Sequence, residues 1–122
     1  MKIMISQPMK GKTEEQIREE REELVKELES KGHEVIDTVF AKEPPKDADM
    51  GMFYLAMSIN AMSKVDGVVF MKGWESSRGC VAEEYIARKY EKFCRYIYEI
   101  DTKCMNFWEN ISKMYDILTI FA

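Results

Sequence analysis

The segment Gly73-Trp74-Glu75-Ser76-Ser77-Arg78-Gly79-Cys80, followed closely by Glu83, concentrates the residue types in this chain that are best suited to chemistry. Gly73 and Gly79 permit tight backbone paths. Ser76, Ser77 and Arg78 stand just before a predicted helix, where free N–H groups and the helix dipole favour an anion. Trp74 lies between polar residues and suits stacking on a flat ring or packing on a neighbouring subunit. On a helix, Glu83 has Gly79, Cys80, Ile86 and Ala87 as its side-chain neighbours. These are small or apolar, so a ligand can approach the carboxylate closely. Glu84 has Arg88 one turn on as a surface partner. Both glutamates equally fit ordinary solvated helix positions.

A second polar loop, Ser6-Gln7-Pro8-Met9-Lys10-Gly11-Lys12-Thr13, carries Gly-Lys-Thr as a phosphate-binding loop does, but Ser6 stands where the first glycine belongs. A milder reading is a loop at a helix N-terminus that offers N–H groups to an anion or a sugar hydroxyl. An ordinary strand-to-helix turn fits as well.

These loops are positioned by an alternation of strands and helices. Lys2–Ser6 reads as a buried strand. Thr13 to Gln16 forms a capping box that opens a helix to about Lys31, with Ile17, Leu24 and Leu28 on an inner stripe, Val25 beside it and charged residues on the solvated face. Gly32 is a stop, and His33 is a turn residue. Glu34–Val39 predicts a second strand. Residues 52–64 predict a second helix, capped by Asp47 or Asp49, with Phe53, Ala56, Ile59 and Met62 or Ser63 inward. Gly67–Met71 is a near-continuous apolar run, the pattern of a central parallel strand. A third helix spans Gly79 to about Tyr90, capped by Ser76 or Ser77, and a fourth strand spans Phe93–Ile100. In the tail, Met105–Tyr115 suggests a helix and Ile117–Phe121 a short strand. The order predicts a parallel sheet with right-handed crossovers, whose ligands bind beyond the carboxyl ends of the strands.

The chain has 122 residues, 46% hydrophobic and 33% charged, which suits one globular domain with its own core. A net charge of −4 disfavours a general binder of nucleic-acid polymers. No apolar run reaches the roughly 18 residues of a membrane span, and no signal peptide is apparent. Cys80, Cys94 and Cys104 form no CxxC pair, which argues against a disulfide framework and a zinc site and points to the cytoplasm.

Three stretches carry a family resemblance: Ser6-Gln7-Pro8-Met9-Lys10-Gly11, Asp66-Gly67-Val68-Val69-Phe70-Met71, and the run from Gly73 to Cys80 with Glu83 and Ala87. They resemble the nucleoside 2-deoxyribosyltransferase-like superfamily, in particular a small, often phage- or prophage-associated branch. The resemblance covers about residues 1–100 and leaves 101–122 as an extension packing on the domain or on a partner subunit. It implies a three-layer Rossmann-like or flavodoxin-like parallel sheet of four to five strands flanked by helices. It also implies a homo-oligomer, a dimer or higher, without cofactor or metal.

The activity implied is that of an N-glycosidic bond hydrolase or 2-deoxyribosyltransferase acting on a deoxynucleoside or its 5′-monophosphate. Glu83 matches the family's glutamate nucleophile. Ser6, Gln7, Met9, Lys10 and Gly11 in the first loop would contact substrate, as would Gly73, Trp74, Ser77, Arg78 and Gly79 in the second. Ser58, Asn60 and Asp66 complete the set, although Asp66 equally fits a residue that turns the chain into the Gly67–Met71 strand. Many relatives carry an aspartate eight positions before the one matching Asp66, and here that place is Ser58. The substitution leaves open a non-catalytic nucleotide-binding or sensing module using the same cleft.

Overall fold

The computed structural model describes residues 1–97. Four strands, Lys2–Ser6 (β1), Glu34–Val35 (β2), Gly67–Phe70 (β3) and Phe93–Tyr96 (β4), form one all-parallel sheet in the order β2-β1-β3-β4. Three helices connect them: Glu14–Ser30 (α1), Met50–Met62 (α2) and Arg78–Lys89 (α3). The fold is α/β, consistent with the three-layer Rossmann-like arrangement expected from the sequence. The predicted elements of the tail lie outside the described residues.

Strand alternation sorts the core into two layers. Ile3 and Ile5 of β1, with Val69 of β3, pack against Leu24 and Leu28 of α1. Met4, Val68 and Phe70 point the other way, to Met62 and Ala87 of α2 and α3. Both central strands are buried on both faces, which is why β3 reads as a continuous apolar run.

The first helix begins and ends as its sequence specifies. Thr13 Oγ1 accepts from Gln16 N at 3.1 Å, and Gln16 Oε1 accepts from Thr13 N at 2.9 Å. At the other end, Gly32 has φ 86°, His33 N donates to Leu28 O at 3.1 Å and Gly32 N to Glu29 O at 3.0 Å. This pair of bonds is a Schellman stop, and it needs the left-handed conformation that glycine adopts without strain. His33 is thereby fixed as a turn residue.

Two expectations are corrected. The second strand ends at Val35 rather than Val39. Ile36 N still reaches Ile3 O, at 3.0 Å, but Asp37 Oδ1 then accepts from Val39 N and turns the chain away. Thr38 Oγ1 donates to Ile5 O at 3.3 Å, so a side chain takes over from the ladder. The second helix starts at Met50, capped by Asp49, whose carboxylate accepts from Met52 N at 2.9 Å. Of its expected inward residues Met62 is buried, Phe53 and Ile59 are half-buried, and Ala56 and Ser63 are exposed. The helix lies against α3 and meets the sheet mainly through its last turn.

Candidate functional site

The sheet order reverses direction at β1: the chain steps to one side to form β2, then crosses back to β3 and β4. The crevice between the carboxyl ends of β1 and β3 is therefore the topological switch point, where ligands of open α/β sheets bind. Ser6 is the last residue of β1 and lies opposite Phe70, the last of β3. By alternation its side chain points to the α2–α3 face.

There it meets Glu83. Ser6 Oγ donates to Glu83 Oε2 at 2.5 Å, and both residues are buried, Ser6 at 1% and Glu83 at 7% exposure. Glu83 reaches this point because Ser77 Oγ accepts from Cys80 N at 3.3 Å and starts α3 at Arg78. One and a half turns later the helix presents Glu83 on the same inner face as Cys80 and Ala87.

Burial pushes the Glu83 carboxyl above the ordinary glutamate range, because an ion loses hydration there. Three groups oppose the shift: the hydroxyls of Ser6 and Ser58 as hydrogen-bond partners, and the positive charge of Arg21. Glu83 lies beyond the first turn of α3, so the helix N-terminus contributes little to its ionisation. The neighbouring Cys80 thiol is itself pushed up, first by burial, against the hydroxyls of Ser6 and Ser77. Its burial disfavours the thiolate form.

Ser6, Ser58 and Glu83 thus come together from three elements. Gln7 alternates to the opposite face. Its Nε2 donates to Ile17 O at 3.1 Å and to Glu20 Oε2 at 2.8 Å, while its Oε1 accepts from Arg21 Nε at 2.9 Å. Met9 is half-buried, and Lys10 and Gly11 are exposed in the same loop. Lys12 Nζ pairs with Glu20 at 2.9 Å, and Thr13 is the helix cap.

Asp66 does not join the group. It sits at the amino end of β3, where its Oδ2 accepts from Lys2 N at 2.8 Å and its backbone N donates to Lys2 O. The carboxylate closes the opposite edge of the parallel sheet. Asn60 is exposed, and its carbonyl accepts from Ser63 Oγ.

The second loop is more structural than its composition suggests. Gly73 has φ 87°, and an added Cβ would lie 3.7 Å from Pro8 Cγ, so the two loops approach each other at this glycine. Trp74 is half-buried, its ring 5.6 Å from Phe70 and 5.4 Å from Tyr96. It packs on the domain rather than standing free to stack on a ligand, although its Nε1 is buried without an acceptor among the described residues. Arg78 is exposed, and its Nη2 lies near Gly51 at the start of α2. Gly79 is half-buried in the first turn of α3, where an added Cβ would lie 4.0 Å from Ser77 Oγ, an ordinary contact. Glu84 accepts from Arg88 Nε at 3.1 Å and from Tyr96 Oη at 3.0 Å, which ties it to the surface and to the aromatic cluster.

The chain belongs to the family described as Domain of unknown function (DUF4406). The DUF4406 match spans residues 1–96, from the start of β1 to the end of β4, and so takes in Ser6, Ser58 and Glu83 together. No curated protein matches the chain. Among the described residues of this DUF4406 domain no helix is long and apolar enough to cross a membrane, and no cluster of metal-ligating residues occurs.

Sequence reasoning missed Arg21 and Thr38. Arg21 is 5% exposed, although its charge suggested the solvated face. The signal was present: Arg21 falls on the stripe of Ile17, Leu24 and Leu28, where helical spacing puts it inward. Thr38 is 2% exposed and accepts from Arg21 Nη1 at 3.3 Å.

Proposed function

We propose that this DUF4406 protein is a nucleoside 2-deoxyribosyltransferase-like enzyme that breaks the N-glycosidic bond of a deoxynucleoside or deoxynucleoside 5′-monophosphate. The observation that carries the reading is the buried Ser6–Glu83 pair at the switch point of the sheet. It is supported by the match of Glu83 to that superfamily's nucleophile and by the small residues around it.

In the first step a Glu83 oxygen bonds to C1′ of the sugar as the C1′–N bond breaks. The electron pair leaves with the base, which takes a proton from water. In the second step water, or a second base, attacks C1′ and gives its proton to the hydroxide left by the first step, while the C1′–Oε bond breaks and restores the carboxylate, in the manner of a retaining glycosidase. Glu83 must be ionised to attack. Ser6, Ser58 and Arg21 favour that form against the desolvation of the site. The first loop and the start of α3, with Ser77 and Arg78, are the groups proposed to hold the rest of the substrate. We further place the protein in the cytoplasm as a homo-oligomer; the oligomer follows from the family resemblance, and the cytoplasm from cysteines that form no CxxC pair.

The second reading is a non-catalytic nucleotide sensor, favoured by Ser58, a hydroxyl where relatives carry a carboxylate. Incubation with a mixture of deoxynucleosides and their monophosphates, followed by chromatography for free bases, separates the two. Base release supports the enzyme. Thermal stabilisation by a nucleotide with no release supports the sensor.

A further inference from the structure

The polarity of α2 is the reverse of that of a surface helix, which turns its apolar stripe to the core and its charges to solvent. None of the 13 residues of Met50–Met62 is charged, and the one that is fully buried is Met62, in the last turn. Ser58, a polar side chain, is turned inward to Glu83. On the opposite side Met52 is exposed at 71%, and Ala56 and Asn60 continue the exposed stripe at four-residue spacing. Phe53 and Ile59 flank the stripe and are half-buried, and Met50 before it is exposed at 64%. Absence of charge together with methionine and aromatic side chains is the composition of an interface core. The contrast is α1, which exposes Glu14, Glu15, Glu19, Glu22 and Glu23.

We propose that the outer face of α2 binds the same face of a second copy of this chain, across a two-fold axis that sets the two helices antiparallel. A two-fold interface must be self-complementary. An uncharged stripe meets itself without repulsion, whereas the exposed face of α1 would set glutamates against their own copies in a chain of net charge −4. The helix ends match as well. Asp47 precedes α2 and Lys64 follows it, both exposed and in no ion pair among the described residues. Antiparallel pairing sets each Asp47 beside the partner's Lys64. Residues 98–122 of the same chain start from the wrong side, because they follow β4 at the sheet edge and α3 packs between β4 and α2. A lipid surface is a poor match, since a helix that lies on a membrane carries lysines and arginines beside its apolar face, and α2 has neither. Ala56 is the middle residue of the helix, so the axis sets it against the partner's Ala56. The proposal rests on the homo-oligomer proposed above and not on the chemistry of Glu83. Association across α2 would brace the helix that holds Ser58 against Glu83.

Analytical ultracentrifugation of the full chain tests this without turnover. Wild type is expected at twice the 14.3 kDa of one chain, or a multiple of that. Ala56→Glu and Ala56→Lys place good helix formers at an exposed position, so each is expected to keep the wild-type far-UV circular dichroism. Each sets a charge against its own kind across the axis and is expected to halve the mass. Mixed in equal amounts, the two variants are expected to recover the wild-type mass, because opposite charges then face each other. A tail folded back on its own chain would give no such recovery. Wild type sedimenting as a single chain overturns both the proposal and the homo-oligomer. Folded variants that keep the wild-type mass overturn the α2 face alone and leave the oligomer standing. Masses halved in each variant and not recovered on mixing overturn the two-fold pairing through Ala56. Should the Ala56 variants fail to fold, Met52→Glu decides, since a carboxylate in the first turn of a helix favours its formation. A halved mass supports the proposal, and an unchanged one overturns it.

Discussion

Ser6 and Glu83 lie 77 positions apart in the chain and meet at 2.5 Å, a strand end against the inner face of a helix. The contact couples the carboxyl edge of β1 to α3 and makes the acidity of one carboxyl group a property of the whole fold. Ser58 supports it from α2. Removing either hydroxyl takes away a partner of the ionised form. Ser6→Ala is therefore expected to raise the Glu83 midpoint more than Ser58→Ala, because its bond is the stronger influence. A hydrogen bond to a charged group is worth about 1.5–3 kcal/mol, so base release at neutral pH is expected to fall by roughly tenfold to a hundredfold in Ser6→Ala. Carboxyl titration and a steady-state assay on the same two variants check this. A larger shift in Ser58→Ala would reverse the ranking.

The raised pKa of Glu83 also predicts how stability varies with pH. The folded protein binds the Glu83 proton more tightly than the unfolded chain, whose glutamates titrate near 4.5. The stabilisation this gives is complete below that value and is lost as pH rises through the folded-state value. Glu83→Gln keeps the neutral shape of the group and escapes the loss. Its melting temperature is expected to exceed that of wild type by an amount that grows as pH rises above about 4.5 and levels off above the folded-state value. A pH-independent difference between the two melting curves would remove desolvation as the cause.

The inner face of α1 holds the frame on which this site rests. Leu28 is fully buried against Ile3, Ile5 and Val69, the strand residues that bring Ser6 and Phe70 into register. Leu28→Ala removes most of that side chain and leaves a cavity. A loss of about 2–5 kcal/mol in urea unfolding is expected, with the Glu83 titration midpoint of the folded fraction unchanged. A loss below about 0.5 kcal/mol would mean that the helix is not seated on the sheet as described.

Much of this was legible in the residues themselves, and the parts that were not have definite causes. The β3 run, the Thr13 capping box, the Gly32 stop and the Ser77 cap are local signals, set by neighbours within one or two turns, and each element begins or ends where they place it. The end of β2 was misjudged because Asp37 and Thr38 act through their side chains, against a pattern of apolar and β-branched residues that reads as a continuing strand. Asp66 resembled a site residue in sequence, yet parallel strands place it at the far edge from Ser6. Trp74 looked exposed because its chain neighbours are polar, whereas its packing partners Phe70 and Tyr96 come from two strands. Arg21 was the clearest missed signal: a charge on an apolar stripe is unusual enough to mark a buried polar network.

The central claim is that Glu83 is the nucleophile, and the most direct test is base release from deoxynucleosides and their 5′-monophosphates by wild type and by Glu83→Gln, each shown to be folded. Wild type is expected to release base, and the variant to do so slower by about three orders of magnitude or more, the scale on which loss of a nucleophile acts. Release by Glu83→Gln at the wild-type rate would contradict it.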